Sequence, residues 1–383
     1  TMQPVDGCIL RIAGTGVAHE SSIVDFSSIN NTVEWNGSDQ TIVNPIGIGG
    51  NSGYYNLILS GSGTKTMPTT AMTINGEFST SGTASVTAAD SIYVYGNTTI
   101  GPGSTFANGA ETHILKGDFE NNGTFTPTSG GTIMFHGTSS QTISGSSTTS
   151  FDNLTIDDNL QGVTLESDIN VNNVLALNNG DLSVGANTLG INGTISNPSG
   201  NIEVNSSSSL SFGGTNAITL NNNLFNGNPT IHDLTINRSG GVTLGNESIT
   251  VNGTLNLTSG TLSIAANTLT LAGNAPVRTS GNIDAGHTSA SLVFENAAAI
   301  TLPASLFSSN VNNLTINGAG GITAGGDFTL EGILNLQSAN PSATKGGLDM
   351  STYTLSMGAT STTTGQGDVT GIIKRTSIVS NTT

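Results

Sequence analysis

The chain has 383 residues, of which 51 are glycine, 9% are charged and 5% are aromatic. That is long enough for a sizeable core, but Ser, Thr, Asn and Gly dominate it. Its net charge of −17, from 25 acidic and 8 basic residues, argues against nucleic acid and anionic membranes as partners, because both demand clustered Lys and Arg. Only Lys374 and Arg375 are adjacent. The single cysteine, Cys8, excludes an internal disulfide framework, and no apolar run reaches the ~18 residues of a membrane span.

Low charge can accompany disorder, but regularly placed Leu, Ile and Val supply apolar surface that a disordered chain lacks. The N-terminal TMQPVDGCIL has neither the basic start nor the apolar middle of a signal peptide. Since the sequence starts and stops in mid-pattern, we expect a mature segment or an excerpt of something longer. From 1 to about 45 the pattern is present but looser, with VEW at 33–35 followed by NGSDQTI. It returns as IMF at 133–135 followed by HGTSSQTI, as LSF at 210–212 and as LVF at 292–294. Each aromatic-ended strand precedes an L-T-I-type strand by about twenty residues: YNLIL, then DNLTI, HDLTI and NNLTI.

Leu154, Leu234 and Leu314 open the L-T-I triplets at a spacing of 80. Such a period points to stacked units, each burying its apolar face against its neighbours. Repeats are assigned to 54–150, 151–230, 231–310 and 311–383, with a partial copy at 1–53. The first is longer and carries one additional coil.

Within a copy the apolar residues come in i, i+2 pairs: 234/236, 242/244, 249/251, 255/257, 262/264 and 269/271. Alternation with period two means strands, and the SGG, NG, TSG and AAN between them are turn formers. No helical period is present. The expected fold is all-β: a single continuous right-handed parallel β-helix (β-solenoid) over 1–383, three faces and about 20 residues per coil, so that each copy is about four coils. The alternative is tandem β-sandwich modules, whose strands are longer and whose cores are richer in aromatics. Stacking sets equivalent positions one above another, which disfavours like charges and favours Asn, Thr and Ser ladders.

Few stretches carry chemistry. GSGTKT at 61–66 lacks the Gly before Lys65 of a phosphate loop and reads as a solvated turn. GAGGITAGGDF at 318–328 lacks the spacing of calcium-binding nonapeptides and reads as coil corners. Asp157 with Asp158, Asp118 with Glu120, and Asp168 with Glu166 could offer oxygens to surface Ca²⁺, but solvated edges explain them better. His19, His113, His136, His232 and His287 have no metal-like spacing. His19 and Glu20 beside Asp25 form the densest titratable cluster, without a nucleophile, and read as an exposed loop. Arg238 and Arg278 stand alone, about two coils apart, where a polysaccharide-cleaving face needs carboxylates and cations together. Asn-x-Ser/Thr matches such as Asn122-Gly123-Thr124 and Asn252-Gly253-Thr254 arise from turn vocabulary. Asp90-Ser91-Ile92 matches the O-glycosylation signal of secreted Bacteroidota proteins. No catalytic, cofactor-binding or metal-ligating residue is assigned, and no cofactor is expected.

The phrases YYNLILSGSGTKT, GTIMFHGTSSQTISG, FDNLTI, SITVNGTLNLTSGTLSIAANTLTLAG and GDVTGIIKRT resemble the repeats of large secreted Bacteroidota surface proteins. Those proteins are commonly exported by the type IX system and include adhesins. From about 32 onward the resemblance implies an extracellular or cell-surface location and a non-enzymatic stalk or adhesin segment. A filament built by end-to-end self-association is a related version, because uncapped coil edges invite pairing. Surface glycans or another extracellular ligand are the partners to expect; nucleic acid and membrane insertion are not. No C-terminal sorting domain is visible, which fits an excerpt. The alternative is a carbohydrate-binding or polysaccharide-cleaving β-helix.

Overall fold

The computed structural model describes residues 7–14, 26–27, 29–45, 53–158, 162–221, 224–337 and 347–376. The described residues are all-β without a helix, and their parallel sheets stack as a β-solenoid of about 16 turns with ~21 residues per turn. Parallel pairing rules out the sandwich alternative, whose sheets are antiparallel. No helix among the described residues is long and apolar enough to cross a membrane. The contacts divide the chain into two compact units, one of Thr1–Leu189 with Gly193–Asn201 and one of Gly190–Asn192 with Ile202–Thr383.

In the first unit three sheets wrap one core. One runs from Ile9–Ile12 through Thr32–Trp35, Asn56–Leu59, Phe78–Thr80, Thr98–Ile100 and Phe119–Asn121 to Gln141–Ser144 and beyond. A second stacks Gln40–Thr41, Ser62–Thr66, Thr83–Thr87, Thr105–Ala107 and Thr124–Thr126. The third includes Met72–Ile74, Ile92–Val94, Thr112–Leu115, Thr132–Phe135, Thr149–Asp157 and Ile169–Asn179. Strands are this short because two inward side chains fill one side of a three-sided coil, and the chain must then turn. Corners leave little room: a Cβ on Gly96 would lie 2.7 Å from the Gly76 carbonyl carbon, and one on Gly117 only 2.4 Å from that of Gly96. Only glycine lets these corners stack backbone on backbone.

In the second unit the register gives the relation between repeat and coil. Leu234 pairs with Leu255, Val242 with Leu262 and Ile249 with Leu269, so three faces make one coil. Leu269 continues to Leu292 and then to Leu314. Leu314 therefore stacks on the face of Ile249, not on that of Leu234. The strand positions after Leu234 are 242, 249, 255, 262, 269, 277, 283, 292, 300, 307 and 314, which is eleven steps. The 231–310 copy is thus three and two-thirds coils rather than four, and in this unit a repeated residue moves to another face with the next copy. The repeat fixes what is buried; it does not line up a strip on one side.

The recurring aromatics have a common duty. Trp35 pairs with Leu59, Phe135 with Ile156, Phe212 with Ile236 and Phe294 with Ile316, all fully buried. Each large ring rests on the last aliphatic residue of the L-T-I-type strand in the next coil, burying apolar area at about 25 cal/mol per Å². In the first unit Phe78, Phe106, Phe119, Phe125 and Phe151 form a continuous cluster with ring centroids 5.4–6.1 Å apart.

Candidate functional site

Most side chains that could have carried chemistry join one coil to the next. Asp118 Oδ1 accepts the backbone N–H of Thr142 at 2.8 Å, and Asp168 Oδ1 that of Thr188 at 2.7 Å. Asp39, Asp181, Asp233 and Asp327 do the same for Thr64, Asn201, Thr254 and Thr354, at 2.6–2.8 Å. Each partner lies one coil further along the chain. A carboxylate fits this place because a corner N–H has no strand carbonyl opposite, and a charged acceptor bonds it strongly. Glu120 instead accepts from Asn122 Nδ2 at 2.7 Å. Among the described residues no group of three or more His, Cys, Asp and Glu could hold a metal ion.

Two expectations need correction. Lys65 is no solvated turn: it lies in Ser62–Thr66, fully buried, in the inward row between Gln40 and Val86. Its Nζ donates to Gly37 O at 2.8 Å, Ser38 O at 3.1 Å and Gln40 Oε1 at 2.6 Å. Burial lowers its pKa from the ordinary lysine value, and Asp39 opposes this. Asp158 is no solvated edge either, being fully buried against Gly180. Arg238 is buried too, its Nη1 donating to Asn216 O at 2.7 Å, so it cannot share a lateral substrate face with Arg278.

Buried polar groups recur at these corners. Gln40 Nε2 donates to Ile12 O at 2.7 Å and Gly14 O at 2.9 Å, while Gln141 Nε2 donates to Leu115 O at 3.2 Å and Gly117 O at 2.5 Å. Asn296 Nδ2 donates to Ala298 O at 2.6 Å and Gly321 O at 3.0 Å. Carbonyls turned inward need donors, and these side chains supply them. The glutamines of NGSDQTI and HGTSSQTI are this signal in the sequence.

The histidines are spread apart. His113 is buried: its Nδ1 accepts from Ile92 N–H at 3.1 Å and its Nε2 bonds Asn108 O, which fixes the Nε2–H tautomer. Burial pushes its pKa down, against the Asn108 carbonyl and Asp90. His136 lies 3.7 Å from Asp157, His232 lies 3.3 Å from Asp233, and His287 Nδ1 accepts from Ser289 N–H at 3.1 Å. His19, Glu20 and Asp25 lie outside the described residues. Cys8 is exposed, and Asp90 Oδ1 bonds Ser91 N–H at 2.7 Å. GAGGITAGGDF supplies corners as expected, with Gly321 at φ +67°.

What remains as a candidate surface is one lateral face of the first unit. Thr73, Tyr93, Ile114, Met134, Thr155 and Ala176 stand side by side at the outward positions of successive coils, Thr155 itself being buried there. Next to them run Tyr95, Lys116, His136 and Asp157. Tyr93 is 36% exposed and Tyr95 50%, and Lys116 Nζ lies 4.1 Å from the Tyr95 ring centroid. The outward residues of the Ser62–Thr66 sheet are instead Thr64, Ser85, Thr105 and Thr124, with Thr66, Thr87, Ala107 and Thr126 beside them. Outward aromatics on the first face were readable from the alternation of IYVY at 92–95, which the repeat pattern overshadowed.

No protein-family model, no curated protein and no solved structure matches the chain.

Proposed function

We propose that the chain is a non-enzymatic structural segment, a stalk or adhesin portion of a secreted cell-surface protein. The observation that supports this reading is the use of the corner carboxylates: Asp118, Asp168 and Asp233, which a catalytic or metal site would draw on, each hold the next coil's N–H. A secreted Bacteroidota protein of the type IX class and a filament building block joined end to end are the finer forms of the same proposal. Surface labelling of intact cells with antibody against the chain tests location: staining before permeabilisation is expected, and staining only afterwards contradicts it.

A carbohydrate-binding or polysaccharide-cleaving role is the second reading, favoured by Tyr93 and Tyr95 beside Lys116, since exposed aromatic faces with nearby donors suit sugar rings. Incubation with neutral and acidic polysaccharides separates the two: release of reducing ends establishes cleavage, and retardation in polysaccharide-containing gels establishes binding. The non-enzymatic reading expects no release of reducing ends, and a pure stalk expects no retardation either.

A further inference from the structure

We propose that the Tyr93–Met134 face of the first unit is self-complementary and pairs two copies of this chain side by side. An outward apolar stack of exposed Tyr93 with half-buried Ile114 and Met134 is unlike the Ser and Thr ranks of the Ser62–Thr66 sheet, and apolar side chains gathered on an outer face mark an interaction surface. The order of charges beside it says what covers it. Lys116 and Asp157 lie one coil to either side of His136 in the same outward rank.

A two-fold axis lying in the interface along Thr132–Phe135 keeps each rank and reverses the coil order. Lys116 of one copy then faces Asp157 of the other, twice by symmetry. In the adjoining rank Met134 meets Met134, Ile114 faces Thr155, and the large Tyr93 faces the small Ala176. Tyr95 faces the amide of Asn179, which a one-residue register shift sets beside Asp157. An isologous contact demands this reciprocity, in which residue i meets j and j meets i.

Charge points the same way. A chain of net −17 repels its own copies unless the contact carries compensating cations. Among the described basic residues of the first unit, Arg11 is bound to Glu34 at 2.8 Å and Lys65 is buried, whereas Lys116 has no carboxylate partner. The pairing supplies one.

The experiment is sedimentation velocity on the full chain across a concentration series, with folding of each variant checked by circular dichroism. The wild type is expected to dimerise. Lys116→Glu sets like charges opposite each other at both symmetric contacts and should raise the dimer Kd by on the order of a hundredfold. The double variant Lys116→Asp with Asp157→Lys should restore the dimer. In a Cys8→Ser background, Met134→Cys on the axis should form a disulfide-linked dimer on oxidation, whereas Thr73→Cys should not. A wild type that stays monomeric, a dimer indifferent to Lys116→Glu, or a folded swap variant that stays monomeric overturns the proposal. So does a monomer that a neutral polysaccharide retards through Tyr93 and Tyr95.

Discussion

Thr98 and Thr80 occupy the same kind of inward position in adjacent coils, and valine should act on them in opposite directions. Both are buried, and both pair with core neighbours, Thr98 with Phe78 and Thr80 with Ile100. The Thr98 hydroxyl has no hydrogen-bond partner and borders a small cavity with Phe78, Phe106, His113 and Phe119. The Thr80 hydroxyl lies 2.7 Å from Ser104 Oγ, which itself donates to Gly101 O at 2.7 Å, so Thr80 is the donor of the pair. An unpaired buried hydroxyl costs about 1–3 kcal/mol, and a made hydrogen bond contributes about 1 kcal/mol. Thr98→Val should therefore stabilise the first unit by about 1–2 kcal/mol, while Thr80→Val should destabilise it by about 1 kcal/mol. Trp35, the single tryptophan, is fully buried in this unit, and its fluorescence during urea denaturation reports the transition. A Thr98→Val protein no more stable than wild type would refute the reasoning, because the hydroxyl would then have a partner.

Three further outcomes are expected. His113 is held neutral and its pKa lies below the ordinary value, so the unfolded chain takes up its proton first as pH falls. Stability is full above about pH 6.5 and declines below it, and His113→Gln should flatten that slope in denaturation curves from pH 7 to 5. At Asp284 the Ser309 hydroxyl, the Gly286 N–H and the Ser263 hydroxyl hold the carboxyl below its usual range against burial. Its contribution is full above about pH 3.9 and is lost as the pH falls through the lowered folded-state pKa, so Asp284→Asn should destabilise at pH 7 and its deficit should shrink as the solution is acidified below that point. Gly96→Ala would push a methyl against the Gly76 backbone and should cost on the order of 2–4 kcal/mol by the same urea assay.

The stacked strands were legible because alternation is local: each i, i+2 pair declares two inward residues whatever lies above it. The pairing of Trp35, Phe135, Phe212 and Phe294 with the next coil was foreshadowed by the twenty-residue interval between motifs. The face on which each copy lands was not legible, since eleven strand steps do not divide by three and only the register counts them. Lys65 misled because Thr64-Lys65-Thr66 is polar throughout. Its inward direction follows from stacking between Gln40 and Val86, which no local pattern contains. Asp158 and Arg238 were hidden for the same reason: a charge reads as exposed until the carbonyls and corners around it are known. Of the corner carboxylates only Asp118 and Asp168 stood out in the sequence, each in a pair along the chain, whereas the partners of all six are N–H groups some 20–27 residues away.

Asp118 offers the most direct test of the claim that these acids are structural. Urea midpoints of Asp118→Ala and Asp118→Asn would be compared with wild type, with and without Ca²⁺. An acceptor for the Thr142 N–H survives in Asn and not in Ala, so Asn should retain most of the stability, Ala should lose about 1–2 kcal/mol, and Ca²⁺ should change neither. A wild-type midpoint that rises with Ca²⁺, together with an Asn variant that no longer responds, would contradict the account.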